Sequence, residues 1–195
     1  KIKKYLIVFL LYFLNINALH SIEPEIFVQS TVNRASEILS KDISKDDKMN
    51  ELKMIAIETV DIKGIGFYTL GAARKNLTDD QKQKYSDLFN KYFLKSFSSR
   101  LSEYTNPKIE VLGKEVLSEN YTIVKSILIG TNERPEVKID WRVYTKNPDN
   151  PLIRDLIIEG LSLARTQKEE FASVLSSNND NIDALFKILE EFSNN

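Results

Sequence analysis

The side chains that most often carry catalysis are scarce in this sequence. Its 195 residues include no Cys and one His, His20. That removes thiolate nucleophiles, disulfides, zinc or haem sites built on Cys and His, and a serine activated by histidine. Carboxylates, Lys, Tyr and Ser remain. Asp155 and Glu159 lie four apart on a segment that reads as a strand, which separates them by about 13 Å at strand rise. Neither glycosidase geometry uses so wide a pair, so these acids read as surface or hydrogen-bonded structural groups. No dense alternation of acids suggests a calcium-type loop. Gly64-x-Gly66 follows no strand and lacks the later glycine of a dinucleotide fingerprint, so close helix packing is its better reading. The inventory favours a protein that binds over one that catalyses.

Charge and leader narrow the class. Lys and Arg number 27 against 28 Asp and Glu, a formal charge of −1. That balance does not suit a nucleic-acid binder driven by bulk charge. Lys1, Lys3 and Lys4 precede the apolar run Tyr5 to Leu14, and Asn15 and Asn17 follow it. A basic start, a short apolar core and a polar exit describe a secretory signal peptide over residues 1–21, too short for a bilayer span of roughly 20 residues. Its removal takes three Lys, no acid and His20, and moves the formal charge from −1 to −4. Residues 22–195 are then expected to form one exported domain, periplasmic and monomeric, stabilised by core burial alone.

The elements that must position any site follow from periodicity. Pro24 opens a helix with Val28, Val32, Ile38 and Leu39 at helical spacing. Ser44 and Asp61 read as caps of two further helices, and Thr78-Asp79-Asp80-Gln81 is a capping box. Behind the box, Tyr85, Leu88, Phe89, Tyr92, Phe93, Phe97, Leu101 and Tyr104 recur every three or four residues. So aromatic a helix face fits an ordinary core, and equally fits the wall of an apolar cavity.

From Lys108 the period becomes two, predicting strands over 109–117, 121–129, 137–144 and 152–161 joined by short polar turns, an antiparallel meander. In the third, Val137, Ile139, Trp141 and Val143 face one way and Lys138, Asp140, Arg142 and Tyr144 the other. Thr166 with Glu169 suggests the start of a helix carrying Phe171, and Asn181 caps a last helix with Leu185, Ile188, Leu189 and Phe192 inward. The expected fold is α+β: helices over about 25–104, a four-stranded antiparallel sheet over about 108–161, and helices over about 166–193. N- and C-terminal helices cover one face of the sheet.

Two stretches carry a resemblance. Leu70-Gly71, Gln81, Tyr85, Phe89, Phe97, Leu101 and Tyr104 resemble the helical signature of the MlaC family, also called toluene-tolerance proteins. The run Asp155-Leu156-Ile157-Ile158-Glu159-Gly160-Leu161-Ser162-Leu163, followed by Phe171, is similar to that family's most recognisable motif. The chain departs from the family at Pro151-Leu152, where a Trp is common, and at Lys168, where an Arg is common. The resemblance implies a sheet like that of nuclear transport factor 2 domains, with an apolar pocket between sheet and helices. It also implies a periplasmic phospholipid carrier with no cofactor other than its cargo. The implied partners are an inner-membrane ABC transporter complex with its substrate-binding membrane subunit, and an outer-membrane lipoprotein complex, so that outer-membrane lipid asymmetry is maintained.

The physics of that task asks for a shape and no catalyst. Burying a methylene gains roughly 0.8 kcal/mol, so two acyl chains of about 30 methylenes carry on the order of 20 kcal/mol of hydration penalty. Only an enclosed slot relieves it. The expected wall is Phe89, Phe93 and Phe97 from the long helix, with Val137, Ile139, Trp141 and Val143 from the third strand and Ile127 and Ile157 from its neighbours. Phe67, Leu70, Leu161 and Phe171 would close its ends, and Arg74, Arg142 or Lys168 would meet the phosphate. Two other readings stay open: a small-molecule enzyme with a lone Asp base and a Tyr donor in an apolar cavity, and a cavity-free exported interaction module.

Overall fold

The computed structural model describes residues 21–194, so the signal-peptide expectation over 1–21 lies, save for Ser21, outside the described residues. Helix α1 (Pro24–Ser40) starts on its proline. In α2 (Lys45–Thr59) the Ser44 side chain accepts from Asp47 N, and in α3 (Ile62–Thr69) Asp61 accepts from Gly64 N at 2.9 Å. A 3-10 turn over Gly71–Lys75 leads to α4 (Asp79–Leu101), whose capping box between Thr78 and Gln81 is complete. Ile38, Leu39, Leu52 and Ile55 form a small cluster between α1 and α2.

The sheet contains β1 (Ile109–Ser118), β2 (Tyr121–Leu128), β3 (Val137–Tyr144), β4 (Leu152–Ile158) and β5 (Leu161–Ser162), antiparallel throughout and ordered as in the chain. Five strands thus replace the expected four. Glu159 and Gly160 both have positive φ, 48° and 84°, the signature of a two-residue hairpin loop of the primed type. The predicted fourth strand therefore folds back on itself, and Glu159 leaves it to accept from Lys138 N at 2.5 Å. At the opposite edge, Gln29 of α1 occupies the open side of β1, donating to Ile109 O and accepting from Val111 N.

Helix α5 (Leu163–Ser176) begins three residues before the predicted box. Ser162 is its cap, accepting from Arg165 N at 3.1 Å, and Thr166 donates back to Ser162 O. Helix α6 (Ile182–Asn194) buries Leu185, Phe186 and Leu189 but leaves Ile188 and Phe192 exposed, a stripe rotated from the predicted one.

The alternation read in β3 holds. Ile139, Trp141 and Val143 join Val28, Val32, Leu70, Tyr85, Phe89, Phe171 and Leu185 in one core between the helices and one sheet face. Within it, the Tyr85 hydroxyl donates to Gly66 O at 3.1 Å and lies 2.8 Å from Thr69 Oγ1. Burial pushes the Tyr85 phenol well above its ordinary value, only partly opposed by the Thr69 hydrogen bond. The phenol stays neutral in the folded state where the unfolded chain ionises, so its contribution is complete below about pH 10 and fades as pH rises above it. Stability should fall by about 1.4 kcal/mol per pH unit there. In urea titrations between pH 9 and about 11.5, Tyr85→Phe should lose that increment of slope.

Candidate lipid-binding cleft

The thirteen residues expected to line a pocket divide into two groups. Phe89, Phe93 and Phe97 form a continuous stack along α4, with ring centroids 6.1 and 5.8 Å apart, and Phe171 meets Phe89 edge-on at 6.3 Å. Leu70, Ile139, Trp141 and Val143 are buried beside them, and Phe67 and Val137 are half-buried against the same core. The Trp141 indole N–H donates to Ser126 Oγ, which donates in turn to Ile139 O, both at 2.8 Å. These ten side chains pack on one another.

The other three are placed elsewhere. Ile127 pairs with Lys138 and Ile157 with Asp140, so both lie on the sheet face opposite Trp141. Leu161 is 59% exposed because the Glu159-Gly160 turn carries it past the core.

A cavity of about 570 Å³ opens on the register of Arg142. Gly64, Ile65 and Tyr68 of α3 line it, with Arg74, Leu117, Ser118, Tyr121, Arg142, Arg154, Asp155 and Ala164. None of the thirteen belongs to it. Its size is within the roughly 300–1,000 Å³ of small-ligand sites. Ile65 and Ala164 belong both to this lining and to the aromatic core, so one layer of side chains separates cleft from core.

Local geometry sets the cationic lining. Between β3 and β4 the register shifts, pairing Arg142 with Asp155 and Val143 with Ile153 and leaving Arg154 unpaired. This bulge sends the Arg154 side chain over the Tyr144 ring, 3.7 Å from its centroid, where it donates to the Tyr121 hydroxyl and to Asp61 at 2.7 Å. Burial opposes the Arg154 charge, but the hydrogen bonds to Tyr121 and Asp61 outweigh it and hold the guanidinium above its ordinary pKa.

Asp155 is buried and bonded through both oxygens: Oδ2 accepts from Ser162 Oγ at 2.5 Å and Oδ1 from Ala164 N at 3.0 Å. It is a brace for the first turn of α5, and Glu159 takes no part. Arg142 differs. Its Nε is buried and has no hydrogen-bond partner among the described residues, a deficit that typically costs about 1–3 kcal/mol. Among the described residues neither Arg142 nor Arg74 pairs with a carboxylate. Lys168, the third expected cation, holds its ammonium 5.1 Å over the Tyr68 ring at the cleft.

Arg74 and Arg142 were thus legible from charge alone. Arg154 and Tyr121 were not, because the bulge that aims Arg154 leaves no mark in the apolar pattern of β4. Gly64 does not cradle phosphate: its N–H is taken by Asp61, and a Cβ there would stand 2.3 Å from that carboxylate.

The model of the family described as "MlaC protein" matches residues 29–191. The chain belongs to the MlaC family. No curated protein matches the sequence. Among solved structures, the phospholipid-binding protein from Ralstonia solanacearum, determined in complex with a phospholipid, superposes with a TM-score of 0.73 at 20% identity, covering 88% of this chain and 97% of that one. At that identity the similarity establishes the shared fold. This MlaC-family chain has no helix among its described residues long and apolar enough to cross a membrane, and no cluster of three potential metal ligands there.

Proposed function

We propose that this protein is a periplasmic phospholipid carrier that moves lipid between an inner-membrane ABC transporter complex and an outer-membrane lipoprotein complex. The observation that carries the reading is that one cleft meets both halves of an amphiphile. Its guanidiniums suit a phosphodiester, and through Ile65 and Ala164 it abuts a core of stacked aromatics. Family membership and the phospholipid held by the Ralstonia protein support the same assignment.

In this reading the head group occupies the cleft and the acyl chains pass Ile65 toward Phe89, Phe93 and Phe97. These three, with Phe67, Leu70, Val137, Ile139, Trp141, Val143 and Phe171, are the proposed acyl contacts. They are reached when α3 moves away from α4, as the side chains between α3 and the sheet repack around the tails. Transfer needs no bond made or broken, which accords with Asp155 serving as a helix brace.

Native mass spectrometry of the purified mature protein tests this. Retained two-chain phospholipid supports the carrier. Protein that arrives empty and takes nothing from vesicles overturns it. Tyr68→Asp and Leu117→Asp alter exposed positions of the lining and set a carboxylate beside the head-group phosphate, a like-charge contact. Each should cut lipid per protein by about tenfold or more, equivalent to about 1.4 kcal/mol, with an unchanged circular dichroism spectrum.

A further inference from the structure

We infer that the cleft selects phospholipids whose head group carries a net negative charge, with Arg142 and Arg74 holding the phosphate. The inference rests on the carrier reading and adds to it which lipid is chosen. Arg154 has its counter-charge in Asp61, while among the described residues neither Arg142 nor Arg74 makes a salt bridge. An Arg fork binds phosphate oxygens through parallel N–H donors, so a phosphodiester supplies an acceptor to the half-buried Arg142, whose Nε lacks one among the described residues.

Every phospholipid offers that phosphate, and the rest of the head group decides between them. A zwitterionic head adds an ammonium, which needs an acceptor. Among the described residues the one carboxylate lining the cleft is Asp155, which is buried and already accepts from Ser162 Oγ and Ala164 N. An ammonium would instead meet Arg74, Arg142 and the Lys168 charge over Tyr68. A head group with hydroxyls and no amine escapes that repulsion and leaves the phosphate charge to the arginines.

The test incubates lipid-free mature protein with vesicles of equimolar phosphatidylglycerol and phosphatidylethanolamine bearing the same acyl chains, then reads the bound lipids by mass spectrometry. Phosphatidylglycerol should be enriched by about tenfold. Arg142→Gln and the solvent-exposed Arg74→Gln should each pull the ratio toward one. The Arg74 variant remains informative even where the other folds poorly. Equal uptake by the wild type, or a ratio that Arg74→Gln leaves in place, overturns the inference while the carrier reading stands; no uptake of either lipid overturns both.

Inorganic phosphate distinguishes a lipid head from a free anion. Followed through the Arg142 Nε–H resonance, phosphatidylglycerol should shift the signal fully, whereas inorganic phosphate should act only weakly at millimolar concentration. Saturation by micromolar phosphate, with lipid leaving the resonance where it was, makes this a site for free phosphate and overturns the head-group inference.

Discussion

Phe89→Ala is expected to lower the unfolding free energy by about 3–5 kcal/mol, the range for deleting a large aromatic from a core that cannot collapse around the loss. Phe89 is 2% exposed and touches four other rings: Tyr85, Tyr92, Phe93 and Phe171. It also fills the space that Gly66 leaves, since a Cβ on Gly66 would stand 2.8 Å from its ring. The truncation would therefore open a void between α3, α4 and α5 at once. Urea denaturation followed by circular dichroism measures the change. Phe97→Ala, at the half-buried end of the stack, should cost visibly less. Equal costs would mean that the helices close over Phe89 as readily as water replaces Phe97.

Asp155→Ala comes second, at about 3 kcal/mol. The substitution strands the buried Ala164 N–H and the Ser162 hydroxyl, and removes a negative charge from the N-terminal end of α5, where the exposed amides favour one. The signature is local as well as global: amide exchange should accelerate over the first turn of α5 before the rest of the helix. Asp155→Asn keeps the shape and part of the bonding and should cost about half as much. A variant as stable as wild type would show that the α5 start is held by Ser162 alone.

These two residues show what was readable in advance. Phe89 was named from spacing, because an amphipathic helix writes its buried face into the sequence every three or four residues. The same periodicity could not say whether that face walls a cavity or fills a core, and here the stack is closed. Asp155 was named as a structural acid from its distance to Glu159, yet its partners were out of reach of that argument. Ser162 and Ala164 come near only because the Glu159-Gly160 turn reverses the chain, and a positive φ at a non-glycine residue has no periodic signature. Extending the fourth strand through that turn hid the fifth strand, moved the start of α5 to Thr166, and put Leu161 inside. Ile127 and Ile157 lie off the packed face for a related reason: both are apolar residues on the sheet face that alternation assigns to solvent, paired there with Lys138 and Asp140.

By itself the sequence determined the order of elements, the caps of α2, α3 and α4, the antiparallel meander, the buried register of β3 and the family, all consequences of local hydrogen bonding and of apolar spacing along one segment. Only the tertiary structure decided where a ligand could enter. The cleft is made by residues from α3, the 3-10 turn, β1, β2, β3, β4 and α5, brought together by a bulge at Arg154 and a helix lying against the sheet. Such a site depends on three-dimensional closure between segments up to a hundred residues apart, and no single segment carries its pattern.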